Sequence, residues 1–351
     1  MDRIRLGGGA GIDVSAVCLG TMTFGNQTGR DDAFAQMDRA LDAGITLVDT
    51  AEMYPVVPVR AATVGRTEEI IGDWLVSRRV RNRVEIATKV SGPNPEVRGG
   101  AGFDGPSLPA RVAESLRRLQ TDVIDLYQLH VPMRPTYHFR GVWHFAPPER
   151  REATLAHMDE VAAAMAAEVK AGRVRAFGLS NETAWGAARW IDAAARHGLS
   201  LATIQNEYSP LSRLFDADMA ELAVNEQLVL LAYSPLAAGL LTGKYAAGAL
   251  PDGSRAAADR ASGGKGDLGG RHTPRADAAV AAWHALAARH GLDPLHMAIA
   301  FTRSRPFPVV PILGARTDPQ LAHLLGGLDL RLSDAVLADI TEFHKAHPLP
   351  F

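Results

Sequence analysis

Short apolar, β-branched runs recur along the chain at residues 14–19, 46–49, 84–89, 123–130, 174–179, 202–205, 228–232 and 309–313. These runs are continuous rather than alternating, which predicts strands buried on both faces. The stretches between them carry helical spacing. Val112, Leu116 and Leu119 recur at i, i+4, i+7, and Met158, Val161, Met165 and Val169 at i, i+3, i+7, i+11. Strands alternating with helices predict a parallel sheet covered on both sides. Eight such units with no second zone of composition predict an α/β fold, a closed (β/α)8 barrel, as a single domain over residues 1–351.

Element ends are legible. Arg196-His197-Gly198-Leu199 and Arg289-His290-Gly291-Leu292 each set a histidine in a last helical turn and a glycine just beyond it. Asp293-Pro294 reads as an N-cap followed by proline at the first helical position. Thr67-Glu68-Glu69 reads as a cap with acids in the first turn. Two connections exceed plain turns, after the fourth and seventh strands: residues 131–152, rich in aromatics and histidine, and residues 242–274, rich in Gly, Ala and Arg. Both overhang the face where barrel strands end, and loops of this length are functional or disordered. The first suits a pocket wall. The second suits a mobile flap or a plain insertion.

Composition narrows the classes. The 351 residues are 47% hydrophobic with a net charge of −2, which supplies a large core and no field for nucleic acid or an anionic membrane. No signal core or bilayer-length apolar run is visible, so a reducing cytoplasm is the expected compartment. The single Cys18 excludes an internal disulfide and reads as a small core residue. No histidine or cysteine spacing suggests a metal.

The chemistry lies at strand ends. Asp49, Lys89 and His130 close the second, third and fourth strands, and Tyr54 follows Asp49 in D-T-A-E-M-Y. A parallel barrel opens all strand C-termini on one face, so the four become neighbours at one mouth. Taken singly, Asp49 fits a cap or a buried ion pair, Lys89 a strand-end lysine reaching solvent, and His130 a structural histidine. Taken together they form a proton-donating site. A lysine ammonium is expected to lower a tyrosine pKa from about 10, Asp49 to hold the lysine charged, and His130 to bind a carbonyl oxygen that Tyr54 protonates. Side chains supply no hydride, so a reduced nicotinamide is implied.

These residues carry a resemblance. D-T-A-x-x-Y, the T-K of I-A-T-K-V, and the histidine of Y-Q-L-H are similar to the tetrad of the aldo-keto reductases. The segments L-G-T-M-T-F-G, D-T-A-E-M-Y-P-V, K-V-S-G-P and L-L-A-Y-S-P-L resemble its Tas-like bacterial branch in particular. The resemblance implies a TIM barrel that reduces aldehydes or ketones with NADPH, with Asp49, Tyr54, Lys89 and His130 in the tetrad roles. There is no G-x-G-x-x-G between a strand and a helix, and Gly7 to Gly11 read as a turn.

The cofactor positions that the resemblance implies begin with Gly20, Thr21, Met22 and Asp49. Ser180, Asn181 and Gln205 match the residues around the carboxamide, and Tyr233 the aromatic that stacks on the ring. Ser234, Pro235, Leu236, Gly239 and Lys244 match the pyrophosphate stretch, and Gly314, Arg316 and Gln320 the 2′-phosphate and adenosine contacts. Some have a plainer alternative. Ser180-Asn181 fit helix capping, Tyr233 fits core packing, Thr317 and Gln320 fit a capping box, and Arg316 fits a solvated surface. His323-Leu324 stands where the family often has Glu-Asn, which weakens the adenine contact. Met22, Phe24 and Trp143 are expected near an apolar substrate pocket. Two rival functions remain open: a nucleotide-sensing regulatory subunit with slow turnover, and a non-redox barrel enzyme with a phosphorylated substrate.

Overall fold

The computed structural model describes residues 1–7, 9 and 11–351. Strands β1 (Arg3–Arg5) and β2 (Asp13–Ser15) pair as an antiparallel hairpin. The expected turn over Gly7 to Gly11 falls between them, although Gly8 and Ala10 lie outside the described residues. Eight parallel strands then close a barrel: β3 (Cys18–Gly20), β4 (Leu47–Asp49), β5 (Glu85–Val90), β6 (Ile124–Leu129), β7 (Val174–Ser180), β8 (Leu201–Glu207), β9 (Val229–Tyr233) and β10 (Val309–Leu313). The protein is a (β/α)8 TIM barrel, as the pattern predicts. One run differs from expectation. Residues 14–19 divide between β2, which belongs to the hairpin, and β3, which enters the barrel.

The surrounding helices are α1 (Arg30–Asp42), α2 (Arg66–Arg78), α3 (Leu108–Leu119), α4 (Arg151–Lys170), α5 (Ala184–Arg196), α6 (Asp218–Asn225), α7 (Arg255–Ala261), α8 (Pro274–Arg289), α9 (Pro294–Arg303), α10 (Asp318–Leu325) and α11 (Asp334–Ala346). None is long and apolar enough to cross a membrane. Gly198 and Gly291 take φ of 72° and 63° just beyond α5 and α8, and the Asp293 side chain accepts the Leu295 and His296 amides, as their sequences predict. Thr67 is not a cap. The N-cap of α2 is Gly65, and Thr67 is buried with its hydroxyl donating to the Phe24 carbonyl at 2.7 Å.

Two cores share the strands. Outward residues such as Val48, Ile86, Tyr127 and Leu179 pack under the helices. Inward Leu47, Ala87, Leu126 and Leu231 fill the barrel, together with Leu6, Ile12 and Val14 from around the hairpin. The hairpin thus plugs the end of the barrel opposite the strand C-termini. A buried ion pair ties α2 to α3: Arg118 Nε donates to Glu68 Oε2 at 2.6 Å, and Thr88 of β5 donates to Glu68 Oε1 at 2.6 Å. Removing one member strands the other charge away from water. Glu68→Gln should therefore lower unfolding stability by about 3–5 kcal/mol, read from urea midpoints; a loss under about 1 kcal/mol would show that Arg118 finds water instead.

Candidate active site

Strand alternation aims the site. Leu47 points into the barrel, so Asp49, two residues on, points into its mouth. The same parity carries Ala87 to Lys89, Leu126 to Gln128 and on to His130, and Leu231 to Tyr233. In β8 the register shifts opposite Phe177 and Gly178, and Gln205 then faces inward. Gly178 makes this possible, because a Cβ there would lie 2.2 Å from the Thr203 hydroxyl and 3.3 Å from the Gln128 side chain.

Asp49, Tyr54, Lys89 and His130 come together as expected. Lys89 Nζ donates to Asp49 Oδ2 at 2.8 Å and to the Thr50 carbonyl at 2.7 Å, and both partners are buried. The ammonium lies 5.0 Å from the Tyr54 ring centroid. The His130 ring meets Tyr54 edge-on, with centroids 5.8 Å apart. Gln205 Nε2 donates to the other oxygen, Asp49 Oδ1, at 2.8 Å. These contacts exclude the solvent-reaching role for Lys89 and the capping role for Asp49.

The electrostatics correct one expectation. Burial pushes the Tyr54 phenol above its ordinary value, and the opposing pull of Lys89 does not cancel it. Tyr54 is therefore a firmly protonated phenol rather than an acidified one. Burial also works against the Lys89 ammonium, but the charge of Asp49 and its hydrogen bond hold Lys89 above its usual range. Burial, reinforced by Lys89, pushes His130 well below the ordinary imidazole value, so it is neutral at pH 7. Its buried Nδ1 has no partner among the described residues.

A second ring of polar groups is joined to the first. Ser180 Oγ donates to the Gln205 carbonyl at 2.9 Å. Asn181 Nδ2 donates to the His130 carbonyl at 2.9 Å, and Asn181 Oδ1 accepts from the Tyr233 hydroxyl at 2.7 Å. Ser180 and Asn181 are not caps, since Thr183 caps α5 by accepting from the Gly186 amide at 3.2 Å. Thr21 Oγ1 donates to the Asp49 carbonyl at 2.8 Å, and the Met22 carbonyl receives the Val56 amide at 3.0 Å. Gly20 has a packing reason, because a Cβ would sit 2.7 Å from Ile312.

The stretch from Ser234 to Lys244 holds a 3₁₀ segment, Ala237–Thr242, broken by left-handed residues, with positive φ at Ser234, Ala237, Ala238, Gly239 and Gly243. Lys244 folds back over Gly239, where an added Cβ would lie 3.8 Å from its Nζ. At the start of α10, Gln320 Oε1 accepts the Arg316 and Thr317 amides at 3.1 and 3.4 Å, which is the capping-box alternative realised. The Arg316 guanidinium lies against Gly253, where an added Cβ would come within 2.7 Å of it, so the connection after β9 reaches across to α10.

One cation escaped the sequence reading. Ser254 caps α7 by accepting from the Ala257 amide at 3.2 Å, which fixes Arg255 in the first turn. Arg255 acts on Tyr54 electrostatically, and burial and then Arg271 depress its own pKa. Among the described residues, Lys244, Arg255 and Arg316 enter no ion pair with a carboxylate. The S-R pair was the available signal, a cap followed by a cation on a connection that overhangs the mouth.

The two long connections also meet each other. Glu207, at the end of β8, binds Arg271 at 2.7 and 2.8 Å and Arg140 at 3.2 Å. Arg275 stacks over the Trp143 ring at 5.3 Å. Trp143 therefore packs at this junction, half exposed, rather than in a pocket. Phe24 is fully buried in the outer core. Tyr137 and Phe145 of the aromatic connection do line a cavity, of about 500 Å³, with Thr183, Trp185 and Met219.

Comparison with known proteins agrees with this geometry. The model of the "Aldo/keto reductase family" matches residues 16–345. The protein tas of Escherichia coli is 42% identical over 97% of this chain and 96% of its own. The uncharacterized oxidoreductase YrpG of Bacillus subtilis is 32% identical over 94% of this chain and 92% of its own. The 6-dehydroglucose reductase of Novosphingobium aromaticivorans is 30% identical over 92% and 90%.

A histidine whose folded pKa is depressed gives stability above its unfolded value of about 6.5 and loses it as pH falls below that. The His130→Asn variant should thus be less acid-sensitive than wild type, the gap changing by up to about 1.4 kcal/mol per pH unit below about 6.5. Parallel urea-unfolding profiles between about pH 8 and pH 5 would contradict a neutral buried His130.

Proposed function

The chain belongs to the aldo/keto reductase family, and on that footing we propose that it is an NADPH-dependent reductase of aldehydes and ketones, with Tyr54 as the general acid. The observation that carries this reading is the buried Lys89 ammonium, held by Asp49 and set beside the Tyr54 phenol.

The residues present fit a dinucleotide. The small residues and positive φ angles of the turn after β9 let a backbone approach closely, which suits phosphate. Lys244, Arg255 and Arg316 add positive charge along it, and a guanidinium at Arg316 suits the bidentate binding of a 2′-phosphate. Ser180, Asn181, Gln205 and Tyr233 would hold the nicotinamide end, and Ser234, Pro235, Leu236 and Gly239 the pyrophosphate. Gly20, Thr21 and Met22 would border the mouth, and Gly314 and Gln320 the adenosine. When bound, the reduced nicotinamide supplies the hydride.

The protein's own part is proton and charge management. Neutral His130 donates one hydrogen bond to the carbonyl oxygen and orients it. Tyr54 holds its proton firmly until negative charge grows on that oxygen, then transfers it from Oη. Lys89 stabilises the phenolate that remains, and Asp49 keeps Lys89 charged and fixed. Because burial raises the phenol pKa, proton transfer is favourable only once the oxygen has become alkoxide-like.

Two measurements test the reading. Tyr54→Phe should cut kcat/KM for an aromatic aldehyde by about 10²–10⁴-fold while NADPH still quenches tryptophan fluorescence; near-normal turnover would defeat the mechanism. Arg316→Ala should weaken NADPH by at least about tenfold and leave NADH nearly unchanged, since only one of them offers a phosphate there. Equal losses for both would remove Arg316 from the phosphate role.

A further inference from the structure

Outside the mouth, two histidines and an aspartate converge where α9 begins and α10 ends. Asp293 is the N-cap of α9, His296 lies one turn into that helix, and His323 lies in the last turn of α10. One nitrogen or oxygen of each lies within 4.8 Å of the others. His323 Nε2 is 3.1 Å from Asp293 Oδ2, and His296 Nδ1 is 4.0 Å from Asp293 Oδ1. The two imidazoles stack, with centroids 4.8 Å apart.

The hydrogen bond on the far side of His296 decides its tautomer. His296 Nε2 lies 2.7 Å from the His323 carbonyl oxygen, and a carbonyl only accepts. Nε2 therefore carries the proton. In the neutral ring Nδ1 is then a bare lone pair facing a carboxylate, and two such groups repel unless a cation stands between them. A histidine that donates its second nitrogen to a backbone carbonyl is also the usual arrangement of a metal-bound imidazole. The carboxylate is ready to ligate. Asp293 Oδ1 accepts the Leu295 and His296 amides at 2.8 and 3.0 Å, which fixes the carboxylate and leaves Oδ2 facing His323.

The geometry points to a divalent transition-metal site of the zinc class formed by Asp293, His296 and His323. Two imidazole nitrogens and one carboxylate oxygen suit zinc, nickel or copper rather than calcium or magnesium. Three protein ligands leave positions for water, which fits a half-exposed site. The dipole of α9 disfavours a cation at its start, and the carboxylate there offsets it; the last turn of α10 favours one. The bound ion staples α9 to α10. The site draws nothing from the mouth residues, so it stands or falls apart from the proposed activity.

Zinc chloride titrated by calorimetry into the untagged, EDTA-treated, full-length protein tests the assignment. One equivalent should bind saturably to wild type. His323→Ala and His296→Ala should each weaken it by at least about tenfold, while His197→Ala, which alters a histidine elsewhere, should not. Cobalt offers a check without a variant: it should broaden the ring resonances of two histidines of the folded wild type before any others. Absence of saturable binding, binding that survives both substitutions, or broadening spread over all histidines would overturn the site.

Discussion

A lysine with no exposed surface is tolerated inside a barrel only when its charge is answered on several sides. Asp49 answers it at 2.8 Å and the Thr50 carbonyl at 2.7 Å. Desolvating both ions has an energetic penalty that the pair recovers only with good geometry and further hydrogen bonds. Gln205 supplies one such bond to the second Asp49 oxygen, and Gln205 in turn receives Ser180 on its carbonyl. The chain of obligations continues through Asn181 to Tyr233 and to the backbone of His130. Much of the mouth is thus arranged around the need to keep one ammonium charged in a dry place.

That arrangement explains why the phenol behaves differently from the simple expectation. Proximity to an ammonium lowers a tyrosine pKa, but proximity here is achieved by burying both, and burial raises it. Sequence shows which residues are neighbours and not how dry their surroundings are. A group that resists ionising in the resting protein and yields its proton to a strong base nearby is better suited to the end of a hydride transfer than to its beginning.

The barrel was legible because its signals are periodic. Seven of the eight apolar runs fall in barrel strands and the first divides between hairpin and barrel, and the parity of Asp49, Lys89 and His130 follows from spacing alone. Less legible were features whose signal is short or borrowed. The hairpin took Val14 from the first run because three-residue strands leave little pattern. Thr67 looked like a cap, but Gly65 with its φ of 83° begins the helix instead. Phe24 and Trp143 were assigned to a pocket by their chemistry, while tertiary packing sent one to the core and the other to a loop junction. Arg255 gives little signal in a connection rich in Gly, Ala and Arg. The Gln320 capping box was foreseen, and it shows that a residue proposed for a ligand already has a structural task.

Glu207 binds Arg140 from one overhanging connection and Arg271 from the other. The two segments are therefore not independent variables in the history of the protein. A change of length or charge in either one alters the anchor on which its neighbour rests. Acquiring a new specificity here would demand paired substitutions, and exchanging a single overhang between homologues would produce a chimera missing one member of a three-membered ion cluster.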